Sequence, residues 1–470
     1  MVTRRLVLAV TLVMLATIVF VGCTGTFGTT DTTGAPGTPG GEPPGVPPGG
    51  VPSSGAGTVP GGPPPGSGSG SSSYVFSGAY TVDGETAVQT DGQYTSSTDD
   101  VSAVYVTNGG NLTLVNATIT TSGNTSSSEA SSFYGLNGAV LANNGSTATV
   151  AGGSISTTGS GANGAIPTGS GSSIVLSDVT ITATGDGGHG VMATQGATLT
   201  LVNVDIATTG PHGAPIATDR GGGTVTVTSG TVTATGTDSP GIYSTGNIMV
   251  ADASITATGP EAAVIEGSNS ITLTNTTLAG GNANTGGVMI YQSFSGDASV
   301  GTGTFTMTGG TLSGTTGPLF FVTNTHAVVT LTGVDVAVSS GTLVNASATS
   351  RWGAAGSNGG NAILTADNTT LPGDVLADNI SSVAVSLRNG STLTGSVNPA
   401  SLTLDAASTW NVTGDSALIA LSDTDGISGT TITNIIGNGH TVTYDASLAV
   451  NSALGGRTYT LANGGSLVPR

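Results

Sequence analysis

Few side chains in this sequence can do acid–base or metal chemistry, and several of them fall within one stretch. Two of the four histidines, His189 and His212, stand near Asp186, Asp219 and Arg220, in the segments GDGGHGV, GPHG and TDRGGG. Two carboxyl groups facing each other across a sugar bond are the minimum apparatus for glycosidic cleavage. An imidazole close to them can carry the proton near neutral pH. If the chain is an enzyme, Asp186, His189, His212, Asp219 and Arg220 are the residues that carry the reaction. The alternative is a folding role. Asn137-Gly138, Asn163-Gly164, His189-Gly190, His212-Gly213 and Pro240-Gly241 recur along the chain, and a polar residue before glycine suits a tight corner. On that reading His189 and His212 stack on neighbouring repeats and no catalytic residue is assigned.

Cofactor chemistry has little to stand on. His189, His212 and Asp186 offer three metal ligands on corner segments, short of a closed site. A Gly-Gly-x-Gly-x-Asp calcium repeat is absent from the sequence. No metal and no other cofactor is therefore expected. Binding has better candidates. Three repeats carry long insertions, near residues 120–138, 289–303 and 346–362, and loops on a rigid repeat scaffold commonly hold specificity. Tyr291, Arg351 and Trp352 lie in the second and third of these and are the expected ligand-binding residues.

Composition narrows the partners. The 470 residues include 78 Gly, only 7% charged residues and no Lys, with a net charge of −19. So acidic a chain has nothing to neutralise a row of phosphates, which excludes nucleic acid. The hydrophobic fraction of 36%, spread as short alternating runs, allows a core that is long and thin.

The first residues, MVTRR, are basic, and LVLAVTLVMLATIVFV follows as an apolar run ending before Gly22-Cys23. This pattern reads as an export signal over residues 1–23. The small residue before the single cysteine resembles the lipobox of bacterial lipoproteins. That resemblance implies lipidation at Cys23 and a membrane partner through the lipid. Residues 24–73 hold 11 of the 20 prolines among Gly, Ser and Thr, the composition of an extended tether.

Beyond the tether the elements that must position these side chains repeat. LTLVNATIT, IVLSDVTIT, LTLVNVDIA, VTVTSGTVT, IMVADASIT, ITLTNTTLA, FTMTGGTLS and VTLTGVDVA align without gaps. One aliphatic column runs Leu114, Val150, Leu176, Leu201, Val227, Val250, Leu273, Met307, Leu331. A second runs Ile119, Ile155, Ile181, Ile206, Val232, Ile255, Leu278, Leu312, Val336. Thr and Ser flank both, as period-two strands require. A third short apolar segment opens each unit, as in AVLA, VMA and VMIY. Three short strands per repeat specify an all-β right-handed parallel β-helix, a solenoid. Its expected parts are an N-terminal cap at 74–103, regular rungs at 104–375 and shorter C-terminal rungs at 376–470.

With these repeats, and with runs such as SLTLDAASTWNVTGD, the chain resembles β-helical surface proteins in the style of adhesins and autotransporter passengers. The resemblance implies an exported, surface-facing, adhesive role toward an extracellular polysaccharide or protein. No membrane β-barrel sequence follows Arg470, so lipid anchoring is expected in its place. The Gly-His-Gly of residues 188–190 is also a motif of polygalacturonases, which gives the alternative of a polysaccharide-degrading enzyme, polygalacturonase- or lyase-like. The chain departs from that pattern: it has no Asn-Thr-Asp, and without Lys it has no Arg-Ile-Lys. A minor alternative is ice binding through Thr columns that include Thr226 and Thr231.

Overall fold

Alternation of aliphatic and hydroxyl residues builds long strands of a common plan. Asn111–Thr121, Thr147–Thr157, Ser173–Ala183, Asn247–Ala257 and Ser270–Gly280 each run 11 residues in a computed structural model that describes residues 74–423 and 425–470. The expected signal, the lipidation at Cys23 and the tether lie outside the described residues. Each long strand bends once. In Asn111–Thr121 the buried positions are even-numbered up to Leu114 and odd-numbered from Ala117. Asn116 takes a left-handed φ of 55° at the change of phase. Asp178, Asp252 and Asn275 do the same on other rungs. Asn and Asp visit that conformation more readily than other side chains. Gly152 fills the equivalent position with φ 74°, and Gly153 after it takes φ 97°, where a Cβ would lie 2.0 Å from the Ala117 carbonyl oxygen. The bend gives one strand two sides, and a separate short strand supplies the third side of the rung.

Successive rungs pair in parallel. Leu114 lies opposite Val150, Val150 opposite Leu176, and Leu176 opposite Leu201. Ile119, Ile155, Ile181 and Ile206 are registered in the same way. Both aliphatic columns seen in the sequence are therefore continuous stacks in the interior, and the fold is the expected all-β parallel β-helix. Full burial of each such side chain stabilises by roughly 1.5–3 kcal/mol. The short strands form a parallel sheet of their own, 13 strands from Ser77–Asp83 to Val397–Asn398.

At the N-terminal end, Ser77–Asp83 pairs with Val101–Thr107, while Thr86–Thr90 and Gln93–Ser96 pair with Asn111–Thr121. The segment expected as a cap thus has the geometry of a rung. Antiparallel pairing among the described strands is confined to the last rungs, where Tyr459–Ala462 meets Ser466–Pro469 and Ile427–Ser428 meets Thr431–Ile436. Among the described residues no helix is long and apolar enough to cross a membrane.

The short strands are buried on both faces. Their inward side chains join the main core, while their outward ones form two further clusters under the insertions. Tyr105, Leu141, Ile166, Met192 and Ala217 make the first, and Val264, Met289, Tyr291, Phe321 and Trp352 the second. Part of the cover over the first cluster is a helix, Ser128–Tyr134, that the repeat pattern did not announce. Ser127 caps it by accepting from the Ala130 N–H at 3.1 Å, and Gly135 ends it at φ 80°. These are ordinary start and stop signals.

Candidate functional site

The outward column of the short-strand sheet runs Met192, Ala217, Tyr243, Val264, Met289. Ala217 is small, and Tyr243, only partly buried, packs against both outer clusters. Here the cover parts. The helical insertion stands on one side, and the loop 292–301 and the Trp352 segment stand on the other. A cleft of about 520 Å³ opens between them. All three insertions marked in the sequence border it. So do Asp186, His189, His212 and Asp219, together with Tyr291, Arg351 and Trp352.

Asp219 lies one residue past the strand Ile216–Thr218, and Glu266 ends Ala263–Glu266 two rungs further on. At about 4.8 Å per rung the two backbones are roughly 10 Å apart along the helix axis. Glu266 is fully buried and its carboxylate is held by four hydroxyls. Tyr243 Oη and Tyr291 Oη donate to Oε2 at 2.7 and 2.9 Å. Ser293 and Ser295 donate to Oε1, the latter at 3.3 Å. Both tyrosines are pushed well above their ordinary pKa by burial and by the Glu266 charge.

Asp219 accepts one hydrogen bond, from the Arg220 backbone N–H at 2.7 Å. Burial, and then the charges of Asp297 and Glu266, hold its carboxyl well above the usual range. Arg220 does not line the cleft but braces it. Its Nε and Nη2 donate to Asp297 Oδ1 at 3.0 and 2.8 Å, and Nη1 lies 3.6 Å from Glu129 of the helix. The guanidinium also sits 3.9 Å from the centre of the Phe133 ring, a favourable stacking position. One arginine therefore joins two insertions far apart in sequence.

The two histidines part company. Val191 pairs with Ala165 on one side and Ile216 on the other, so His189 lies level with Asn163 and Ala214. The stack of His189 on His212 expected from aligned His-Gly pairs does not form. His212 is level with Gly187 instead: Gly187 donates to the Pro211 carbonyl, and both residues take left-handed φ. Matching the two His-Gly pairs had equated two different columns of the corner. His189 is buried, with its backbone N–H and Nδ1 within 2.9 and 3.1 Å of Asn163 Oδ1. Burial lowers its pKa to about 4, against a small opposing effect of a hydrogen bond to the Gly187 backbone. At neutral pH the ring is uncharged. His212 sits half-exposed on the rim, with Nδ1 2.8 Å from Asp186 Oδ1.

Trp352 is buried at the opposite wall, its ring 5.1 Å from that of Tyr291 and 4.8 Å from the Arg351 guanidinium. Phe294, 73% exposed, stands on the lip. Sequence reasoning did not single out Glu266, Asp297, Tyr243 or Phe294. A signal existed for Glu266, a carboxylate inside the otherwise apolar segment AVIE. Among the described residues no group of three or more His, Cys, Asp and Glu is placed to hold a metal ion.

No family model matches the chain. No curated protein matches it either. Among solved structures, the chain is similar to a chain of the cryo-EM structure of the Vag8–C1 inhibitor complex, at 14% identity, over 74% of this chain and 98% of that one, with a TM-score of 0.42.

Proposed function

We propose that this chain is an exported, surface-tethered β-helix that recognises an uncharged extracellular polysaccharide in the cleft beneath its three insertions. The signal-like N-terminus and Cys23 supply the export and the lipid tether. The carrying observation is the make-up of the cleft, where Trp352 and the exposed Phe294 line the same space as the carboxyl groups of Asp219 and Asp297. Aromatic rings pack on the C–H faces of a sugar, and fixed acceptors take its hydroxyl protons. A volume near 520 Å³ is that of a small-ligand or oligomer site. A protein partner needs a broad contact of roughly 800 Å² per side.

Charge decides between kinds of glycan. The cleft gathers Asp186, Glu266 and Asp297 against Arg351, and Arg220 is already committed to Asp297 and Glu129. A polyuronate chain would enter against net repulsion at low effective dielectric. A pectin-type substrate is therefore disfavoured, and with it the polygalacturonase- or lyase-like alternative. Calorimetric titration of the full chain with neutral oligosaccharides (gluco-, xylo-, manno- and galacto-series) and with oligogalacturonate tests the reading. Binding of a neutral series, weakened at least tenfold by Trp352→Ala and absent for oligogalacturonate, is expected. Tighter binding of oligogalacturonate would overturn it.

A further inference from the structure

We propose that the cleft also hydrolyses the glycosidic bond of the neutral glycan it binds, with Asp219 as the proton donor and Asp297 as the base. The inference rests on the glycan-binding reading and adds an activity to it.

The two carboxyl groups line one cleft, come from distant parts of the chain, and are treated differently by one residue. Arg220 gives Asp219 only its backbone N–H, whereas it gives Asp297 the guanidinium, both of whose contacts fall on Oδ1. Asp297 keeps a side chain 7% exposed. No hydrogen bond from a described residue reaches its Oδ2, nor the Oδ2 of Asp219. Each carboxyl group therefore retains an oxygen free for a ligand or a water. A deeply set carboxylate with an unused oxygen on a cleft wall is unexplained by the fold, because Oδ1 alone completes the latch to Arg220. Glu266 is unlike them: its four hydroxyl donors occupy both oxygens.

Environments that separate two acids in this way assign the roles of acid and base. Burial and the two neighbouring charges push the Asp219 carboxyl well above the usual range, which favours its protonated form. In the step, the Asp219 proton passes to the glycosidic oxygen as the bond from that oxygen to the anomeric carbon breaks. Asp297 Oδ2 takes a proton from a water whose oxygen bonds to the anomeric carbon. One water is consumed, one new reducing end and one free hydroxyl appear, and the proton gained by Asp297 returns through solvent to Asp219. No metal, oxidant or cofactor enters the balance.

The experiment uses the full chain and the neutral oligosaccharide that binds best in calorimetry, read by reducing-end assay and mass spectrometry of products. Hydrolysis by the wild type is expected, falling at least a hundredfold in Asp219→Asn and in Asp297→Asn, while both variants still bind. Persistent binding shows that the variants remain folded. Hydrolysis unchanged in Asp219→Asn would overturn the assignment. Binding without hydrolysis by the wild type would overturn the activity and leave recognition standing. Absence of binding to every neutral series would remove recognition and, with it, this inference.

Discussion

At the scale of residues, the cleft holds charged groups in unlike states by giving them unlike partners. Arg220 pairs with Asp297 and leaves Asp219 to a single backbone donor. His189 is a further case with a measurable consequence. Its pKa of about 4 in the fold lies below 6.5 in the unfolded chain, so the unfolded chain takes up the proton first. Stability from this group is complete above pH 6.5 and falls as pH drops towards 4. The loss amounts to about 3 kcal/mol once the pH is below both values. Asp219 acts with the opposite sign, since a raised pKa costs stability as pH rises past the unfolded value of 3.8. Comparison with His189→Asn separates the two, because Asn163 already occupies the same column. Urea denaturation between pH 4 and 7 should show the variant losing less stability on acidification than the wild type. Equal slopes would mean that the imidazole is not buried as described.

At the scale of elements, three insertions turn an ordinary face of the solenoid into a walled site. The helix Ser128–Tyr134 is only 7 residues long and too short to persist alone. Tertiary contacts hold it. Thr194 Oγ1 donates to the Phe133 carbonyl at 2.9 Å, and Arg220 reaches Glu129 and covers the Phe133 ring. Replacing Arg220 with Met removes the link between this helix and the loop carrying Asp297, leaving a deeply set carboxylate without its cation. Hydrogen exchange in residues 125–136 and 292–300 should rise roughly tenfold, while the long strands keep their protection. Uniform loosening across the strands, or none in the insertions, would show that Arg220 is not a clamp. The existence of the insertions was legible as breaks in the repeat, and Tyr291, Arg351 and Trp352 within them do reach the cleft. The helix was not legible, because Ser, Phe and Tyr are indifferent helix formers and its cap signals resemble those of any Ser-rich turn. The bridging of Glu129 and Asp297 by Arg220 was not legible either. It depends on how seven rungs of unequal length accumulate along the axis.

At the scale of the whole molecule, the parallel β-helix could be read because its interior is a set of columns. Each rung repeats the same demand, and Leu114 to Leu331 and Ile119 to Val336 answer it without a polar exception. The outer surface carries no comparable constraint. The Thr column is interrupted by Val175 and by Met249, which is 42% exposed, and such breaks weigh against a lattice-matching face. The corner residues misled for a related reason. His189 and His212 both precede glycine, yet their backbone roles differ, and only the register between rungs distinguishes them. The cleft lies where the cover over the short strands parts above Ala217 and Tyr243. The most direct measurement is a crystal structure of the chain soaked with the neutral oligosaccharide that binds best. Sugar density lying against Trp352 and within hydrogen-bond reach of Asp219 is expected. An empty cleft beside sugar bound elsewhere on the β-helix would contradict the central claim.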